Sequence, residues 1–185
     1  MNHRPLVFLD IETTGTSPHN SRVLEIGALR VENGKTVASY SQLLSPETPI
    51  PSFITSLTGI TTAMTVNSPI FGSIASELEE FLRGAIFVAH NVAFDYNFIK
   101  TEFQNIGRSF NMDRLCTVRL SRALYPSQQR HNLDTIISTH GFTVSSRHRA
   151  LDDAQVLVDF FHKSVDTHGL AVFASMDKIT KFART

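Results

Sequence analysis

The stretch Leu6–Gly15, LVFLDIETTG, decides how the rest of the chain is read. Leu6, Val7, Phe8 and Leu9 form an apolar run that ends at the turn-forming cluster TTGTSPHN, the pattern of a central strand buried on both faces. At the end of that run stand two carboxylates, Asp10 and Glu12. Alternate residues of a strand share a face, so the two project together while Ile11 points the other way. Adjacent anions repel, and unless a cation lies between them one carboxyl has its pKa raised and keeps a proton. Taken alone, the pair fits equally well a frayed strand end with both groups splayed into water.

Outward from this strand, RVLEIGALRVE and KTVASYSQLL are strand-like and meet at Asn33-Gly34. Both residues accept the positive φ of a type I′ turn, so the first three strands read as an antiparallel meander. The polar, proline-marked segment SPETPIPSFITSLTGITTAMTVNSP is long enough to be a functional connection. Ser68 and Pro69 offer an N-cap and a first-turn proline for a helix with Ile74, Leu78, Phe81 and Leu82 on one face, stopped at Gly84. AIFVAH (85–90) is a further apolar strand, and Asn91 is positioned to cap a helix running through Phe94, Phe98, Phe103 and Ile106 to Gly107. LCTVRLSRALY reads as helix, Asn132 as the cap of LDTIISTH before Gly141, and ALDDAQVLVDFFHKSV as a long helix with Ala154, Leu157, Val158 and Phe161 inward. No fixed-period repeat or low-complexity linker interrupts the chain, so the expectation is one α/β domain with a mixed sheet flanked by helices. The closing stretch THGLAVFASMDKITKFART is compatible with a short docked helix and with a free tail.

A chain of 185 residues that is 42% hydrophobic can bury a sizeable single core. No apolar run approaches the roughly 18 residues of a membrane helix, and the N-terminus enters a strand without a signal-peptide pattern. A cytoplasmic protein with no membrane association is expected. The single cysteine, Cys116, lies in an apolar setting and reads as a buried small hydrophobe. Zero net charge removes the bulk electrostatic argument for polyanion binding. Locally, however, Lys100, Arg108, Arg114, Arg119, Arg122, Arg130, Arg147 and Arg149 face only Glu102, Asp113 and Asp134. That imbalance is compatible with a basic surface for a phosphate backbone and with solvated arginines scattered over helix faces.

Two more acids match the first pair. Asp95 lies in the first turn of the helix after AIFVAH, where a lone acid also serves to complement the helix dipole. Asp153, in HRALDDAQ, shares its helix face with Ala150, Ala154 and Leu157 and so leans toward the core, whereas Asp152 is rotated away. Inward-leaning acids need a partner. The sequence offers no lysine or arginine motif aimed at all four, so the economical partner is a hard divalent cation, Mg²⁺ or Mn²⁺, bound through oxygen. Two ions suit the chemistry better than one, because together they can prepare an attacking water and neutralise a leaving oxygen in phosphoryl displacement. His148, just before the Asp153 helix in a loop, can reach such a cluster and accept a proton near neutral pH. An exposed loop histidine is the plain alternative.

Taken together, LDIETTG, HNVAFD and HRALDDA resemble the three exonuclease motifs of the DEDDh, DnaQ-like family of 3′–5′ exonucleases, which includes proofreading subunits of bacterial replicative polymerases. The resemblance runs from about Pro5 to Val165, and the H-x-A-x-x-D form of the third motif resembles the histidine branch of the family. It implies an RNase H-like fold with a five-stranded sheet, an exonuclease domain over residues 1–166, and a C-terminal tail or short docking helix over 167–185. It also implies that Asp10, Glu12, Asp95 and Asp153 hold two metal ions, that His148 is the general base, and that nucleoside 5′-monophosphates are released from a free 3′ end. Thr13, Thr14 and Gly15 correspond to the stretch that approaches the terminal nucleotide, and Leu57 and Thr58 in SLTGIT to the segment that wedges against its base. His90 and Asn91 match the second motif, where shaping the strand-to-helix turn competes with substrate contact, and Glu25 in LEIGA reads as structural. A DNA 3′ end is the expected substrate, with a DNA polymerase subunit as a partner. RNA trimming and a catalytically idle docking module stand as alternatives.

Overall fold

A computed structural model describes residues 4–183, so His3 and the outermost ends of the expected domain division lie outside the described residues. The apolar run Leu6 to Leu9 opens strand β1 (Leu6–Thr13). It pairs antiparallel with β2 (Val23–Glu32), which pairs antiparallel with β3 (Lys35–Leu43). Asn33 and Gly34 take φ of 51° and 76°, as the hairpin turn between β2 and β3 requires.

On the other side of β1 the sheet continues in parallel through β4 (Ile86–Ala89) and β5 (Arg114–Cys116), giving the order β3-β2-β1-β4-β5. The expected mixed five-stranded sheet is therefore present. Its fifth strand corrects the reading of LCTVRLSRALY as helix throughout: Arg114, Leu115 and Cys116 pair with Phe87, Val88 and Ala89, and the helix begins only at Thr117. The open edge of β4 supplies backbone partners that local propensity does not register.

Helices cover both faces. The segment between β3 and the next long helix, which the sequence presents only as a polar connection, holds two short helices, α1 (Ser52–Thr58) and α2 (Thr62–Thr65). Helix α3 (Phe71–Leu82) buries Ile74, Leu78 and Leu82 as expected, but Ile70 stands at its N-cap and no side chain caps it. Ser68 instead donates back to the Met64 carbonyl, and Pro69 uses its carbonyl to hold Ser45. Helices α3 and α4 (Ala93–Asn105) pack with Val7, Leu9 and Ile11 on one side of the sheet. On the other side Leu6 and Phe8 meet α5 (Thr117–Leu124), α6 (Leu133–His140), α7 (Ala150–His168) and α8 (Leu170–Ile179). Cys116 is buried, as its apolar setting implied.

The closing stretch resolves into a docked helix. Val172, Met176 and Ile179 of α8 are buried, and Lys181 forms a two-way backbone bridge with Arg114 of β5. No helix among the described residues is long and apolar enough to cross a membrane.

Candidate active site

The strand face that carries Leu6 and Phe8 into the second core also carries Asp10 and Glu12, so both acids point toward α7. Asp10 lies opposite Gly27 of β2, and a methyl group on Gly27 would sit 2.1 Å from the Leu151 nitrogen and 2.2 Å from the Ala150 carbonyl carbon. The missing side chain lets the first turn of α7 rest directly on β2. Asp153, one turn into that helix and 4% exposed, is thereby brought to the acids of β1.

Glu25 fixes the same turn from the other side. Its buried carboxylate accepts from the Arg149 guanidinium at 2.6 Å and from the Ala150 N–H at 3.0 Å, a structural clasp on the start of α7. Asn132 accepts from the Thr135 N–H at 3.0 Å and Gly141 ends α6 in the left-handed conformation, as expected.

Glu12, His148 and Asp153 converge: one ligand atom from each lies within 4.8 Å of the others. His148 holds φ at 59°, in the left-handed region, and its N–H donates to the Asp153 carboxylate at 3.3 Å. Asp10 joins by charge. Burial raises its pKa well above the usual carboxylate range, and the neighbouring Asp95, Asp153 and Glu12 raise it further. Burial likewise pushes Glu12 up to about 7, with Asp153 and Glu25 adding to it. Asp95, 3% exposed at the start of α4, is pushed up to about 8 by burial against the opposing pull of its own N–H and that of Ile11. Asp153 is raised by burial although Arg147 and the His148 N–H favour its charged form.

The sequence presents no arginine aimed at all four acids, and the structure brings one, Arg147, to three of them. Its guanidinium bonds Asp153 and, at 2.8 Å, Asp134, and its charge lowers the pKa of Asp10 and Glu12 as well. A basic residue beside the third motif's histidine is the only sequence signal for it. One arginine cannot balance four carboxylates, and the oxygen-rich donor set of partly and fully buried acids fits a hard divalent cation.

The remaining sequence candidates lie at the end of β1 and in the turn after it, at the end of α1, and just after β4. Thr13 donates to the Gly15 carbonyl at 2.6 Å and Thr14 accepts from the Arg22 N–H at 2.9 Å, so both hydroxyls shape the turn after β1. Gly15 packs where a side chain would meet the Ser21 hydroxyl at 2.6 Å. Thr58 is buried, donating to the Ile54 carbonyl and accepting from the Ile60 N–H, whereas Leu57 is 51% exposed. Asn91 is not the α4 cap: Val92 holds that position without a side-chain bond, and Asn91 instead turns the chain with φ at 58°. His90 Nδ1 and the Thr117 hydroxyl lie 3.0 Å apart, and that hydroxyl donates to the Ala89 carbonyl. Burial pushes His90 down to about 4, which keeps the ring neutral.

Against known proteins, a family model described as an exonuclease matches residues 7–161. The chain belongs to the exonuclease family. The chain is 34% identical over 180 residues to the DNA polymerase III subunit epsilon of Aquifex aeolicus, covering 95% of this chain and 89% of that one. It is 38% identical over 160 residues to a PolC-type DNA polymerase III of Caldanaerobacter subterraneus subsp. tengcongensis, covering 86% of this chain. The chain spans only 11–17% of the length of that and other PolC-type and DinG relatives. Among solved structures, Exonuclease X in complex with 5′ overhanging duplex DNA superposes with a TM-score of 0.73 at 25% identity, covering 93% of this chain and 98% of that chain. The RNase H-like fold expected from the sequence motifs is the fold that these exonucleases share.

Proposed function

We propose that this exonuclease is a divalent-metal-dependent 3′–5′ exonuclease that shortens DNA from a free 3′ end and releases nucleoside 5′-monophosphates. The supporting observation is the convergence of Glu12, His148 and Asp153 within 4.8 Å, in a site where Asp10 feels Asp95, Asp153 and Glu12 as neighbouring charges. The names of the relatives, a polymerase subunit and an exonuclease in complex with DNA, favour DNA over RNA and an association with a polymerase in proofreading.

In this reading Asp10, Glu12, Asp95 and Asp153 hold two Mg²⁺ or Mn²⁺ ions, which when bound acidify a water and neutralise charge on the scissile phosphate. The chain's own residues do the rest. His148 takes a proton from the water whose oxygen attacks the terminal phosphodiester. The bond from phosphorus to the 3′-oxygen of the penultimate nucleotide breaks, that oxygen is protonated, and the terminal nucleotide leaves as its 5′-monophosphate. The bond from its own N–H to Asp153 keeps the His148 backbone in the loop conformation from which the ring reaches the cluster. Leu57, exposed on α1, offers an apolar surface for the terminal base, and the turn Thr13–Gly15 offers backbone groups to its sugar and phosphate.

Incubation of the purified protein with 5′-labelled single-stranded DNA and Mn²⁺ is expected to give a ladder that shortens one nucleotide at a time from the 3′ end, abolished by EDTA. His148→Ala is expected to lose most turnover near pH 7–8 while keeping its metal-induced thermal stabilisation. Internal cleavage, or full turnover by His148→Ala, would overturn the assignment.

A further inference from the structure

Among the described residues, the arginines fall into three groups. Arg4, Arg22, Arg30, Arg83, Arg108, Arg147 and Arg149 each pair with an acid. Arg114 lies over the Tyr96 ring at 4.3 Å. Arg119, Arg122 and Arg130 are exposed and have no acidic partner among the described residues. These three are not scattered. Arg119 and Arg122 stand three apart on α5, hence on one helix face, and both line a depression that begins at Asn91 in the turn beside the active site. Arg122 also lines a second depression, which continues to Arg130, His131 and Asn132 before α6. No Asp or Glu lines either one, although the chain carries as many acids as Lys and Arg together.

The two depressions form one shelf that starts at the active-site rim. His90 marks the junction: its ring faces Thr117 at the head of α5, and its neighbour Asn91 opens the first depression. At the far end the His131 ring bonds the Ser121 hydroxyl of α5 at 2.8 Å, which ties the loop carrying Arg130 to the same helix. Guanidinium groups left free of carboxylates present a planar fork of donors that matches phosphate oxygens.

We infer that this shelf, Arg119, Arg122 and Arg130 on α5 and the α5–α6 loop, is the track for the phosphate backbone of a single strand upstream of the nucleotide being removed. The inference rests on the reading of the site as a nuclease that takes a 3′ end. An acidic peptide could use the same charges, but contiguity with the rim at Asn91 favours the strand whose end the site holds. A phosphate track supplies affinity without sequence preference, and it makes binding salt-dependent.

The test uses the triple variant Arg119→Ala, Arg122→Ala, Arg130→Ala, which removes exposed groups without ion-pair partners. Anisotropy of a 5′-fluorescein 12-mer DNA in EDTA, over a range of salt, reads the track alone. Each lost phosphate contact on a single strand lowers the slope of log K against log salt by about 0.7, so the triple variant is expected to lose about two units of slope. In Mn²⁺, kcat/KM for the 12-mer is expected to fall at least tenfold, while hydrolysis of the p-nitrophenyl ester of thymidine 5′-monophosphate, too small to reach the shelf, stays within twofold. An unchanged slope overturns the track, as does a parallel loss on 12-mer and ester. Loss of binding to a poly-glutamate peptide with the DNA slope intact also overturns it, in favour of a protein partner. If wild type cleaves neither substrate yet loses its salt slope in the variant, the track stands and the nuclease reading falls.

Discussion

Arg147 reaches into a cluster of four acids from the position next to His148, and its guanidinium bonds Asp153 and Asp134 while easing the charge on Asp10 and Glu12. In the metal-free protein it therefore does part of what a divalent cation would do. Removing one partner of a largely buried ion pair leaves the other charge uncompensated, a loss of several kcal/mol when both are buried. Here Asp153 is buried but Arg147 is partly exposed, so solvent screening brings the expected loss for Arg147→Ala to about 1–2 kcal/mol. Because the metal supplies the missing positive charge, thermal melts are expected to show a lower Tm than wild type in EDTA and a larger rise on adding Mn²⁺. A smaller metal-induced rise in the variant would mean that Arg147 supports cation binding instead of substituting for it.

At the scale of elements, the site depends on how closely α7 approaches β2, and Gly27 sets that distance. A β-carbon there would meet backbone atoms of Ala150 and Leu151 at 2.1–2.2 Å, so the helix must lift or the strand must bend. Gly27→Ala is expected to cost about 3 kcal/mol or more by urea denaturation, and to shrink the metal-induced Tm shift because Asp153 moves away from Asp10. Gly72→Ala is the control: in α3 the added carbon meets only the Ile106 side chain at 3.5 Å, and stability should hold or rise slightly. Nothing local in LEIGALRVE distinguishes Gly27 from a strand weakened by a glycine, since the contact belongs to a helix more than 120 residues later. The same holds for β5, three residues made into a strand by the edge of β4. The elements legible in the sequence were those set by their own pattern: the β1 run, the Asn33-Gly34 hairpin, the Asn132 cap and the inward face of α7.

For the whole molecule, the directions of Asp10, Glu12 and Asp153 were legible because strand and helix periods fix which way they point, whereas the reach of Arg147 depends on a loop that turns through left-handed φ at His148. Gathering the acids has a consequence for global stability that follows from their titration. Glu12 and Asp95, at about 7 and about 8 in the fold against 4.5 and 3.8 when unperturbed, hold protons in the folded state that the unfolded chain releases. Their contribution to stability is fully present below the unfolded values and is lost as pH rises through the folded ones. His90 acts in the opposite sense, because burial lowers it from 6.5 to about 4 and its stabilising effect is lost as pH falls below 6.5. Above pH 6.5 the rise still contributed by His90, and by His140, which burial also lowers, fades within about one unit, so the raised carboxylates set the sign of the slope. In EDTA, Tm is therefore expected to fall between pH 6.5 and 8.5, and to fall less in Asp95→Asn, which removes the buried charge while keeping the shape. Cations bind the deprotonated cluster, so with saturating Mg²⁺ or Mn²⁺ the wild-type Tm shift should grow over the same interval, and Asp95→Asn should lose most of that growth. A metal-free Tm that rises from pH 6.5 to 8.5 would mean that the acids are not held together strongly enough to repel, and the site would then lack the electrostatic pressure that draws a cation in.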